Sequence, residues 1–382
     1  MPGANSYLQA LLKNLGEVRE RAGLTAAQLE QRLILGPGWI QRFENCESVP
    51  SIDMLLAILQ EVGGDLPSVL RGLPKPEAAA VERPIFAEQA GNDLIVHFRY
   101  ANFDAQYTLP SSRLRSFESV VKTLRDGLAR LVSADERQGE AIKTDAVARS
   151  FLAAVNAWPH ANPSDLWWFV IYRAYCDPYN HPARYARLDF TQSWKRTGGW
   201  ALEEVLVRHY GPFLKSRGVN LFIADGTAKH TLVKSLNFAH RFEADKIDVV
   251  LTGDARRGQR FFGVVHVKAS FAERRTDDVP LSSELTPAGY TSPLWTMDCK
   301  SSPGEHPVNR GELGALGARR SAKRRDIEDE GYFTGCFSYN RNTLPSPAEL
   351  PAGRRVYSCD FGDPDDAFSR FILERWRAFP KK

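Results

Sequence analysis

Cysteine is scarce and scattered. Cys46, Cys176, Cys299, Cys336 and Cys359 form no CxxC pair, which argues against a zinc site or a disulfide framework and fits a reducing cytoplasm. No apolar run approaches the roughly 18 residues a membrane helix needs. The N-terminus lacks the charged-then-apolar pattern of a secretory signal. Internal repeats and long low-complexity tracts are missing too. Neither sign of charge dominates: 50 Lys and Arg against 46 Asp and Glu leave +4, which permits a nucleic-acid partner without demanding one. These absences lead us to expect a cytoplasmic protein with no membrane partner. The 382 residues, 43% of them hydrophobic, suffice for two or three cored domains.

The texture of the chain divides it. Residues 1–73 are helix-rich. "PKPEAAAVERP" opens a linker expected over 74–95. Residues 96–190 read as a mixed α/β middle region, with "DLIVHFRY" and "DAQYTLP" as paired strands before the amphipathic "SFESVVKTLRDGLARLV". Residues 191–382 alternate helix, strands and long loops.

The N-terminal region carries a specific pattern. Thr25 is placed to cap "AAQLEQRL", with Leu24, Leu29 and Leu33 on its inner face. "ILGPG" is a turn, Pro37 suits the first position of the next helix, and Ser51 suits the cap of the one after. Leu24, Thr25, Leu29, Ile40, Glu44, Asn45, Pro50 and Leu55 resemble the phage-repressor (Xre/Cro) helix-turn-helix family. The resemblance implies that Trp39, Gln41 and Arg42 face the DNA major groove. A small bundle for dimerisation or docking is the competing reading.

In "KIDVVLTGDARRGQRFFGVVHVK", Asp248 and Lys268 interrupt two apolar strands. A carboxylate on such a strand is costly unless a cation meets it. A hairpin with "TGDARRGQR" as its loop would bring the pair together beside a divalent metal, an arrangement suited to phosphodiester hydrolysis. A surface ion pair on a half-buried hairpin explains the same residues. The pattern resembles the PD-(D/E)xK nuclease superfamily, except that His266 stands where Glu or Asp is usual, and imidazole is a poor Mg²⁺ ligand. Upstream, Glu203 shares a helix face with Leu206, Tyr210 and Phe213. The resemblance makes it a second carboxylate for the metal, whereas Glu204 points outward.

Glu273, Arg274 and Arg275 follow Lys268. Similar clusters in endonucleases that read CCGG-type sites pair Arg with guanine and a carboxylate with cytosine. The resemblance also moves the missing acid downstream, to Glu284, 16 residues past Lys268, or to Asp277 or Asp278. A second cluster has the same grammar: Asp298 and Lys300, then Glu312, with Arg310 assisting. Residues 196–316 resemble the BsaWI-type type II restriction endonucleases, through "HVKASFAERRTDDVPLS" and "DCKS…NRGELG".

That resemblance implies a homodimer dependent on Mg²⁺ that cleaves double-stranded DNA at a short, CCGG-containing palindrome, and a cognate methyltransferase. It makes residues 191–382 the catalytic region and 96–190 a DNA-binding or dimerisation region. The expected fold is α+β or α/β and multidomain: an all-α helix-turn-helix, a mixed middle region, and a mixed-sheet core flanked by helices. "GARRSAKRRDIEDEG" would add phosphate contacts or form a solvated loop. Two other functions remain open at this point. One is a regulator whose C-terminal half senses a ligand, with the aromatics of "WWFVIYRAY" lining a pocket or the core. The other is a defence nuclease with little sequence preference.

Overall fold

A computed structural model describes residues 3–73, 83–100, 102–185, 188–229, 247–256, 258–270, 275–317 and 320–380. The chain divides into two compact units, Met1–Arg83 and Pro84–Lys382. Among the described residues no helix is long and apolar enough to cross a membrane.

The first unit is five helices: α1 (Gly3–Arg21), α2 (Ala26–Arg32), α3 (Trp39–Glu44), α4 (Ile52–Glu61) and α5 (Leu66–Leu70). Their core contains Leu12, Leu15, Leu29, Ile40, Phe43, Ile58 and Leu59. Thr25 makes a capping box with Gln28, and Ser51 caps α4 through the Met54 amide. The turn departs from expectation, because α3 begins at Trp39 and not at Pro37. Its cap residue, Gly38, has φ 81° and no side chain to offer. The buried Glu30 carboxylate serves instead, accepting from Gly38 N at 3.1 Å and Ile40 N at 2.9 Å. Arg19 fixes the other end of α3, donating to both Glu44 oxygens at 2.6 and 3.1 Å.

The second unit opens with an antiparallel sheet of β1 (Ile85–Ala90), β2 (Asp93–Tyr100) and β3 (Phe103–Leu109). β1 lies inside the segment expected as linker. Helices α6 (Leu114–Ala129) and α7 (Glu136–Ala157) follow, and they meet at Gly127, where a Cβ would lie 2.6 Å from that of Ala146. A π-helical stretch, Leu166–Ile171, is set between short α8 (Pro163–Asp165) and α9 (Tyr172–Cys176). Its Trp167 and Phe169, and Tyr175 beyond, are fully buried and pack with Phe151, Phe98 and Trp194. The aromatic run is therefore core.

The 26-residue α10 (Phe190–Lys215) leads to a six-stranded mixed sheet in simple sequence order: β4 (Val219–Phe222), β5 (Val249–Ala255), β6 (Gly258–Lys268), β7 (Leu294–Thr296), β8 (Cys336–Ser338) and β9 (Val356–Ser358). Strands β4 to β6 are antiparallel, and β6 to β9 run parallel. The expected nine-residue hairpin loop is mostly strand, with Ala255 opposite Gly258 and a bulge at Leu251/Thr252. Side chains alternate along β5 and β6. Val249, Leu251, Val265 and Val267 enter the main core with α10 and α13 (Ala367–Ala378). Val250 and Val264 face the opposite side, against Leu281 and Leu285 of α11 (Arg275–Leu285). α12 (Ala322–Glu328) packs Ile327 near Leu294 and Val356. Helices thus flank a mixed sheet, as expected.

Candidate active site

Strand parity places the first pair. Residues 264, 266 and 268 of β6 share the face turned to α11. Extending the Val249↔Val265 register by one step sets Asp248 opposite His266. Lys268 then lies on the diagonal, at the same end of the sheet. Its Nζ donates to Asp248 Oδ2 at 2.6 Å, and that oxygen also accepts from Val267 N at 2.8 Å. α11 brings Asp278 over the strand end, with Oδ2 3.4 Å from Lys268 Nζ and Oδ1 3.5 Å from His266 Nδ1. His266 is fully buried, its Nε2 is 2.9 Å from Ser292 Oγ, and its Nδ1 has no hydrogen-bond partner.

Charge in this cluster is unevenly compensated. Burial raises the Asp278 carboxyl, but His266 and Lys268 more than offset that and hold it below its usual range. Glu203 moves the other way. Burial, then the charge of Asp248, pushes it up to about 8, against the opposing pull of Lys229 and Lys268. Near pH 7 Glu203 is therefore mostly protonated. Asp248, His266 and Asp278 each offer a ligand atom within 4.8 Å of the others. The two carboxylates supply the oxygen donors that a divalent cation takes, while His266 Nδ1 lies 3.5 Å from Asp278 Oδ1.

The other sequence candidates are placed differently. Glu284 is half-buried on α11 and is not in that ligand group. Glu273 and Arg274 lie outside the described residues, as do the side chains of Arg275 and Asp277. Lys300 and Arg310 are exposed. Asp298 is buried and spent on structural bonds: Oδ1 accepts from Glu312 N at 2.6 Å and Leu313 N at 3.2 Å, and Oδ2 from the Thr343 hydroxyl beyond β8. Glu312 pairs with Lys323 at 2.9 Å and accepts from Ser270 Oγ at 3.1 Å. Tyr100 and Trp168 anchor the same loop through Ser301. Two arginines of the basic segment around α12 are ion-paired within it. Arg324 is fully buried against Glu328 at 2.8 Å, and Arg320 meets Glu328 and Asp329.

In the first unit, Trp39, Gln41 and Arg42 all lie exposed on α3. The Arg42 guanidinium sits 4.7 Å from the centre of the Trp39 ring. Sequence reasoning missed Ser292, the partner of His266, and Lys229, which acts on Glu203. Neither stands in a motif, so only the fold could reveal them.

Over 237 residues the chain is 40% identical to the type II restriction enzyme AgeI of Thalassovita gelatinovora, an alignment spanning 60% of this chain and 83% of the relative. The chain belongs to the type II restriction enzymes. A crystal structure of a specific restriction endonuclease AgeI–DNA complex superposes with TM-score 0.63 and 32% identity, covering 76% of this restriction enzyme and 99% of that chain. The pre-specific BsaWI–DNA complex is more remote, at TM-score 0.37 and 15% identity over 69% of this chain and 93% of that one. Residues 11–67 match the family described as "Helix-turn-helix domain". The enzyme is therefore a site-specific endonuclease carrying a helix-turn-helix, and a regulator without catalysis is set aside.

Proposed function

We propose that this restriction enzyme hydrolyses double-stranded DNA at a short, CCGG-containing palindrome, using Mg²⁺ and acting as a homodimer in the cytoplasm. The supporting observation is the convergence of Asp248, Lys268 and Asp278, with Glu203 beside them, at one end of the sheet. Asp248 and Glu203 would hold the cation, with Asp278 as the downstream acid in place of Glu284. A bound divalent cation supplies Lewis-acid stabilisation of charge on the phosphate and acidifies the attacking water. Lys268, steadied by Asp248 and Asp278, would orient that water through its ammonium. His266 braces Asp278 from behind, because its Nε2 is committed to Ser292. Glu273, Arg274 and Arg275 read C·G pairs beyond the strand end. The helix-turn-helix binds DNA through Trp39, Gln41 and Arg42, either beside the cleavage site or at an operator. A host carrying such an enzyme needs a methyltransferase that protects the same sequence.

Plasmid incubated with the protein and Mg²⁺ should give discrete fragments whose sequenced ends define the site. Asp248→Ala and Lys268→Ala should abolish cleavage while gel-shift binding persists, a loss of about 3 kcal/mol or more in barrier terms. Full activity in Lys268→Ala together with loss in Lys300→Ala would move the active site to the Asp298 loop. Arg274→Ala should relax discrimination at one G·C pair.

A further inference from the structure

The ridge of α10 that ends at Glu203 is unusual upstream of it. Gln192, Arg196, Gly199 and Glu203 recur at spacings of four, three and four, so they lie along one helix face, with Trp200 beside them. Glu203 is buried. Over the three turns before it the same ridge opens to solvent: Gln192, Lys195 and Arg196 are exposed, and Trp200 is 42% exposed. The ridge therefore runs from the surface to the buried Glu203. Neither Lys195 nor Arg196 has a carboxylate partner among the described residues, unlike Arg208 on the next turns, which pairs with Glu204 and Asp145. Arg196 instead stands 5.8 Å from the centre of the Trp200 ring, which favours an outward-reaching guanidinium.

The two glycines of "TGGW" sharpen the point. Glycine inside a helix is destabilising relative to alanine and calls for a reason. Gly198 has one: a Cβ there would press on the Trp194 ring at 3.0 Å. Gly199 has none within the fold, since a Cβ would meet nothing within 4 Å. A bare stretch of helix backbone, flanked by two unpaired cations and leading to a buried acid, suits close approach of a polyanion.

We infer that Gly199, with Lys195, Arg196 and Trp200, forms the seat on which the phosphodiester backbone of duplex DNA lies as it enters the site. The inference rests on the proposed location of the active site at Glu203, Asp248 and Lys268. Arg196 supplies a phosphate contact, Trp200 holds the sugar edge, and the missing Cβ at 199 lets the strand settle.

The test uses the full-length enzyme and a duplex containing its site. Gly199→Ala should melt at the same or a higher temperature, because helix propensity improves, yet bind DNA about tenfold more weakly, with KM raised and kcat nearly kept. Arg196→Ala should lower the slope of log affinity against log salt by about one. Wild-type binding and cleavage in both variants would overturn the seat. Weak binding in Gly199→Ala accompanied by a lower melting temperature would also overturn it, since that is the signature of a packing defect. Asp248→Ala separates the two layers. If it is catalytically dead while Gly199→Ala and Arg196→Ala behave as wild type, the active site stands and the seat fails. If Asp248→Ala cleaves normally, the site assignment fails, and the salt slope judges the seat by itself.

Discussion

Two buried aspartates show how environment separates roles that sequence grammar makes alike. Asp248 and Asp298 each precede a lysine in a D…K pattern, and each is nearly inaccessible. Asp298 gives its oxygens to two amides of its own loop and to the Thr343 hydroxyl beyond β8, and Gly311 leaves room for it, since a Cβ there would fall 2.3 Å from Oδ2. Removing that carboxylate strands three buried donors, so Asp298→Ala should cost about 3–5 kcal/mol in a denaturant titration. Undiminished stability with lost cleavage would return the second cluster to the chemistry. The likeness in sequence and the difference in structure have one cause: the partners of Asp298 lie 14, 15 and 45 positions away, beyond any local motif. Asp248 and Lys268 were legible because an unmatched charge on an apolar strand requires a partner. A residue outside the site gives the pH prediction. Burial, only partly opposed by Asp360 and Asp363, lowers His209 to about 4. Between its ordinary value near 6.5 and 4 the unfolded chain takes up a proton that the native chain refuses, so stability is full above 6.5 and falls as pH drops toward 4. His209→Phe, which keeps the ring contacts with Tyr210 and Phe361, should flatten that acid limb in melts from pH 7 to 4; an unchanged limb would contradict the assignment.

At the scale of elements, α3 shows a local rule replaced by a tertiary one. A helix starting after a left-handed glycine has no side-chain cap of its own, and Glu30 reaches across from α2 to supply one. Glu30→Ala should therefore cost about 1–2 kcal/mol, as cap removals do, and the amide of Ile40 should exchange faster by NMR. Glu30→Gln, which keeps an acceptor, should recover part of the protection. Unchanged exchange at Ile40 in the alanine variant would show that α3 starts without this carboxylate. Caps at Thr25 and Ser51 were readable because their partners sit three residues on. The start of α3 was not, because the compensating residue precedes it by eight and ten positions. The β5–β6 hairpin failed for another reason. Asp254, Arg256 and Gln259 are exposed at the far end of the pair, so alternation, the signal that identifies a half-buried strand, fades where pairing continues.

Over the whole molecule, two cores imply two separable functions. Met1–Arg83 closes its own apolar cluster around Leu15, Ile40 and Leu59, while the main core of Pro84–Lys382 runs without a break from Ile85 to Trp376. The AgeI chain is covered almost completely by 76% of this one, a share close to that of the second unit. The helix-turn-helix match, residues 11–67, lies wholly within the first unit. A second DNA-binding module on the same chain raises the local concentration of the first at its target, and it does so without altering which bases the first reads. Deleting residues 1–83 should therefore leave one cooperative melting transition and the same sequenced cleavage ends, because the strands that carry the proposed cleavage site all lie in the second unit. Affinity for long DNA should drop about tenfold or more, with a shallower salt slope as the contacts of α3 are lost. The truncated enzyme need not bind a short duplex more weakly if the helix-turn-helix reaches an operator elsewhere, so duplex length discriminates the two placements of that module. A changed cleavage sequence after deletion would mean that Trp39, Gln41 and Arg42 help select the cut site, and the additive view of the two units would fall.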